Sequence, residues 1–178
     1  MDDRRKKIKD EFMAIKMQLI GKRRPSQLET NMNELHIKNM PTEIKRGEML
    51  YKGAEQEIVK LDRFSYLTDN MNCGKYFAFP NENPTLDGSY YLNIFGVKET
   101  LTLSNWEAVT ENCTEDEAFA YLEEHPEVDG VIFPVYVSES DLKLDHAAYE
   151  IILNSPQKIL YIRTKKLSLI DFLKSIAG

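Results

Sequence analysis

Residues 149–162 read Tyr149-Glu150-Ile151-Ile152-Leu153-Asn154-Ser155-Pro156-Gln157-Lys158-Ile159-Leu160-Tyr161-Ile162, with one acid at the head of an apolar run. β-Branched and aliphatic residues bracket a Ser-Pro turn. The segment therefore predicts two buried strands, or one broken strand, with Glu150 at the entry. A carboxylate there needs a reason, because burying an unpaired charge costs on the order of several kcal/mol. Glu150 either meets water at a strand end or lines a cleft, and this stretch alone leaves both open.

Working outward, Asp129-Gly130 turns into an apolar strand over 131–137, and residues 140–148 form a polar connection to Glu150. Thr114-Glu115-Asp116-Glu117 is a capping box. The Thr hydroxyl accepts from the amide three residues on, and Glu117 reaches back to the Thr114 amide. The helix it opens carries Phe119 and Leu122 on one face and stops at His125-Pro126, and the charge run 111–124 is its solvated face. Upstream, Met49-Leu50-Tyr51 begins a short strand broken by Lys52-Gly53, and residues 64–68 form a second. Residues 70–79 predict a short helix closing before Pro80. Residues 89–103 predict a hairpin, with Tyr90, Leu92 and Ile94 alternating before Gly96. Near the start, Ile8, Phe12, Ile15 and Leu19 make a helical apolar stripe, and residues 27–40 predict a second helix between Ser26 and Pro41. Short strands interspersed with helices, without βαβ regularity, predict an α+β domain over 41–178. Residues 1–40 are expected to form a helical segment packed on that body.

Composition narrows the function. The chain has 178 residues and is 42% apolar, enough for one domain with its own core. It has no run of 18 apolar residues, and its first 20 residues are heavily charged, so neither a membrane span nor a secretion signal is expected. The setting expected is intracellular and cytoplasmic, with delivery into a host cell left open. Residues 1–24 hold nine of the 23 Lys/Arg against four acids, which leaves 14 basic and 25 acidic side chains for the rest. So acidic a body makes a poor general nucleic-acid binder. The N-terminal segment is the only part suited to an acidic membrane or nucleic-acid surface. Cys73 and Cys113 form no CxxC pair and are expected to be buried thiols. His36, His125 and His146 are isolated, so no metal site is expected. Phosphate-loop, dinucleotide and nucleophile-elbow motifs are absent.

Three short segments, in order, resemble the ADP-ribosyltransferase superfamily. Leu50-Tyr51-Lys52-Gly53 is similar to that family's opening strand motif. Tyr66-Leu67-Thr68, with Gly74 and Phe77-Ala78 beyond, is similar to the second motif and its helix. Glu150-Ile151-Ile152-Leu153 with Ile159 and Tyr161 is similar to the final motif, a glutamate heading a hydrophobic strand and its return. Asp129-Gly130-Val131-Ile132 resembles a step common ahead of that strand.

The resemblance implies a split β-sheet core with flanking helices that pinches NAD in a cleft, as in a mono-ADP-ribosyltransferase. On it, Glu150 is the catalytic glutamate. Gly53 holds the nicotinamide carboxamide by its backbone, and Lys52 contacts the ribose or phosphate. Tyr66 and Thr68 occupy the second motif, and Tyr76 supplies the opposite wall of a nicotinamide stack. NAD is then the substrate, no metal is needed, and the acceptor is more readily a protein than a nucleic acid. Two positions depart from the family pattern. Lysine at 52 lacks the bidentate fork of arginine. Ala148 stands where the arginine-modifying branch has a second acid. A non-catalytic interaction protein with this fold, or an NAD glycohydrolase, is the alternative.

Overall fold

The computed structural model describes residues 40–79, 88–134 and 148–170. The N-terminal helices expected within residues 1–40 lie outside the described residues except for Met40, which is in neither helix nor strand, and His36 and His146 lie outside them too. The described chain is an α+β fold on one mixed sheet of eight strands. They are β1 (Glu43–Ile44), β2 (Met49–Ala54), β3 (Tyr66–Thr68), β4 (Tyr90–Val97), β5 (Leu101–Asn105), β6 (Gly130–Pro134), β7 (Tyr149–Leu153) and β8 (Ile159–Leu167). Their order in the sheet is β1-β5-β6-β7-β3-β2-β4-β8. Every neighbouring pair is antiparallel except β5/β6. That parallel step is bridged by two helices, α2 (Trp106–Val109) and α3 (Glu115–Glu124), whereas α1 (Met71–Ala78) follows β3.

The continuous apolar run of β7 is explained by its central place. Ile151 and Leu153 point into a core with Leu50, Leu67, Phe95, Leu103 and Ile132. Ile152 points the other way, to Val131, Ala118 and Leu122 beneath α3. A strand covered on both faces reads as unbroken hydrophobicity. The capping box of α3 is formed as expected, with Thr114 accepting from the Glu117 amide and Glu117 from the Thr114 amide. Asn154 and Arg63 close the other end of that helix. The Asn154 amide donates to the Leu122 and Val128 carbonyls at 3.1 and 2.8 Å, and the Arg63 guanidinium donates to Leu122 O at 3.1 Å.

Four sequence expectations are corrected. Lys52-Gly53 do not break β2, because they remain in its ladder opposite Asn93 and Leu92 of β4. Residues 89–103 are not a hairpin. β4 pairs with β2 and β8, whereas β5 pairs with β1 and β6. β4 is buried along almost its whole length, so its apolar alternation did not mark a two-stranded ribbon. The strand after the Ser-Pro turn does not return beside β7 and is not buried. β8 lies four strands away, half-exposed, at the sheet edge. Cys73 is buried as expected, but Cys113 is exposed.

Two glycines mark where α1 meets the sheet. A Cβ on Gly53 would lie 2.1 Å from Gly74 O and 2.3 Å from Ala78 N, both backbone atoms of α1. A Cβ on Gly74 would lie 2.9 Å from Tyr51 Cβ and 2.8 Å from Leu92 Cδ1. Backbone cannot swing aside as a side chain can, so helix and sheet approach this closely only with glycine at these positions. Gly53→Ala is expected to destabilise the fold by about 3 kcal/mol, at the upper end of overpacking costs, as read by the urea midpoint of the purified protein.

Candidate functional site

The site forms where β2 leaves β3. The two strands share a single residue pair, Tyr51 with Thr68. Beyond it the ladder between them stops, while β2 continues along β4 to Ala54. Lys52, the first residue past the pair, reaches back across the gap and donates from Nζ to the Tyr66 carbonyl at 3.1 Å. On the far side of β3, Glu150 of β7 stands opposite Thr68. Its other cross-strand neighbour is Phe133 of β6. Directly opposed residues share a face of the sheet. Tyr51, Thr68, Glu150 and Phe133 thus form one row, and Tyr66 sits diagonally beside Glu150.

Glu150 is half-buried and accepts no hydrogen bond among the described residues. Burial pushes its carboxyl up to about 7, against the opposing pull of the Lys52 ammonium. Lys52 is drawn below its usual value by burial, with Glu150 holding it up. Each charge therefore partly offsets the desolvation of the other. The Tyr66 hydroxyl donates to the Glu115 carboxylate at the start of α3. Burial, then Glu115, then Glu150 raise its pKa. The Cys73 thiol on α1 is pushed up to about 12 by burial, with Asp69 and Glu150 adding to it. Such a thiol is a packing group rather than a nucleophile.

The residues singled out in the sequence thus separate. Lys52, Tyr66, Thr68 and Glu150 are brought to one seam. Thr68 is buried and its hydroxyl is occupied, donating to Tyr149 O at 2.9 Å and accepting from the Asn70 amide at 3.3 Å. Gly53 lies beside the seam under α1. Tyr76 is buried in α1 with its ring edge-on to Phe77 at 5.7 Å. The Tyr66 ring instead meets Phe133, edge-on at 6.3 Å. Among the described ring pairs, Tyr66 and Tyr76 do not meet.

Three neighbours escaped the sequence reading. Phe133 walls the carboxylate, Trp106 packs on Phe133 at 5.0 Å, and Glu115 holds the Tyr66 hydroxyl. Only the register of β6 on β7 brings Phe133 beside Glu150. Glu115 was visible as part of a capping box and gave no sign of its second contact. Among the described residues no cluster of His, Cys, Asp or Glu is arranged to hold a metal. No helix among them is long and apolar enough to cross a membrane.

No family model matches the chain, and no curated protein matches it. Among solved structures, the chain is similar to one in the crystal structure of the M. tuberculosis MbcT–MbcA toxin–antitoxin complex. The similarity has 13% identity and a TM-score of 0.47, over 76% of this chain and 92% of that one.

The raised carboxyl has a cost to stability with a definite sign. The folded value lies above the ordinary 4.5, so the folded state holds this proton more tightly. That contribution is complete below pH 4.5 and is lost as pH rises through about 7. Glu150→Gln removes the charging step. The variant is expected to equal the wild type in stability near pH 4.5 and to exceed it by about 2 kcal/mol at pH 8, allowing for partial solvation of the carboxyl. Urea melts of both proteins across this range check it, and a variant less stable at pH 8 would show that Glu150 is a structural acid.

Proposed function

We propose that this protein is an NAD-dependent mono-ADP-ribosyltransferase with an ADP-ribosyltransferase-like split sheet. The observation that carries the reading is the meeting of Lys52, Tyr66 and Glu150 at one seam between strands, although Glu150 is far from the others in sequence. It is supported by the ordered motifs around those residues.

The chemistry fits an acid in this state. When the bond between ribose C1′ and the nicotinamide nitrogen breaks, the electron pair leaves with nicotinamide, which departs neutral, and positive charge develops on the ribose. An ionised Glu150, holding the ribose 2′-hydroxyl, stabilises that charge as it forms. Its oxygens are free to do so, since no described residue occupies them. An acceptor nucleophile then bonds to C1′ and releases its proton. Lys52 serves twice, keeping Glu150 ionised at lower pH than burial alone would allow and offering one ammonium to the ribose or phosphate of NAD. Tyr66 and Phe133 give the seam an aromatic wall for the nicotinamide ring. Water as the acceptor would make the same site an NAD glycohydrolase.

Activity is expected to require the ionised carboxyl. With labelled NAD, kcat/KM should rise about tenfold per pH unit below pH 7 and level off above it. Lys52→Met should move that limb to higher pH, and Glu150→Gln should lower kcat about 10²- to 10³-fold. Labelled protein distinguishes transfer from free ADP-ribose. A protein that neither consumes NAD nor gains stability from it would be a non-catalytic relative, since a ligand at 100 times its Kd adds about 2.7 kcal/mol.

A further inference from the structure

β8 ends the sheet, and among the described residues no strand pairs with its outer edge. It is nine residues long, whereas β1 at the opposite edge has two. An open edge of that length is a template for another chain, and proteins blunt it with charge and bulges. Here the register of β8 on β4 shifts between Ile94 and Phe95, leaving Ile162 as the extra residue, and Arg163, Lys165 and Lys166 are exposed. Blunting does not account for the rest of the surface. Leu160 is 55% exposed, Ile162 43% and Val59 61%. A cavity of about 280 Å³ opens at the start of β8, lined by Val59, Leu61, Phe95, Pro156, Ile159 and Tyr161.

Charge is segregated in the same direction. Although the chain carries 29 acids, strands β2, β4 and β8 contain no Asp or Glu and hold Lys52, Arg163, Lys165 and Lys166. Lys75 of α1 lies close enough to Lys165 for the two like charges to oppose each other. Arg163 and Lys165, opposite Ile94 and Leu92, stand on the α1 face of the sheet. Phe95 and Tyr161, which line the cavity, stand on the other face.

We propose that the outer edge of β8 is the docking site for an extended segment of a partner protein, which adds to the sheet as a further strand. Its backbone takes the unpaired edge. An apolar side chain fills the cavity beside Phe95 and Tyr161, and acidic side chains projecting to the α1 face meet Arg163 and Lys165. Side chains of a strand alternate between faces, so the segment alternates acidic and apolar residues. This surface lies four strands beyond Glu150 and does not depend on the NAD reading.

Selection of random ten-residue peptides displayed on phage against the full-length protein tests the proposal. The enriched sequences should alternate acidic and apolar residues. Synthetic copies should bind about tenfold more weakly when salt rises from about 50 to 300 mM, and about tenfold more weakly to the Arg163→Glu/Lys165→Glu variant. Val59→Asp, at the rim of the cavity, should weaken them as well. Amide hydrogen exchange of wild-type protein should slow along residues 159–167 on binding, a readout that needs no variant to fold. No enrichment, enrichment of sequences without acids, or protection elsewhere than β8 would overturn the proposal.

Discussion

The arrangement depends on how little β2 and β3 share. One residue pair joins them, and the sheet would open along that seam if nothing else crossed it. α1 crosses it. Gly74 lies against Tyr51 of β2 and Leu92 of β4, with Thr68 of β3 at 3.7 Å from the position of its absent Cβ. The helix therefore fastens the two halves of the sheet from one side, and the strands are free to part on the other. The parting lets a lysine reach across to a carbonyl of the next strand and lie near an acid two strands away. A full β2/β3 ladder would occupy the space that Lys52 enters.

Two acids from the motif-bearing segments show opposite uses of burial. Asp129 is buried with its valences filled. Its Oδ2 accepts from the Thr102 amide at 2.8 Å and from Lys158 Nζ at 3.0 Å, and its Oδ1 accepts from Ser155 Oγ at 2.6 Å. It pins the turn after β7 to the strands beside it and so sets where β7 ends. Glu150 is set into the sheet with a nearby cation and no donor among the described residues. A carboxylate whose lone pairs are filled by the fold holds structure together, whereas one with no protein donor is open to a group from outside it.

The sequence disclosed local features and concealed those set by strand order. The capping box at Thr114, the helix after Asn70 and the strand headed by Glu150 were legible because each depends on neighbours within a few residues. The hairpin over 89–103 and the return strand after Pro156 were misread for one reason. Adjacency in sequence suggested adjacency in space, but the chain crosses the sheet both times. At the candidate site, the residue types singled out at Lys52, Tyr66 and Glu150 do come together. The wall at Phe133 was not, because it depends on a register between β6 and β7 across a connection of 14 residues. Gly53 shows a further limit, since the sequence could not reveal that a helix backbone rests on it.

The position of β8 also bears on how the chain is made. β4, with no charged residue and both faces buried, emerges from the ribosome some sixty residues before the strand that covers its outer side. Until residues 159–167 follow, the sheet ends on that apolar strand, the kind of edge on which nascent chains associate. Arrival of β8 replaces it with one carrying Arg163, Lys165 and Lys166. Glu150 emerges just ahead of β8, so the seam gains its acid long after Lys52 and Tyr66 have been made. A growing chain therefore carries Lys52 and Tyr66 with no acid across the seam until β7 joins β3.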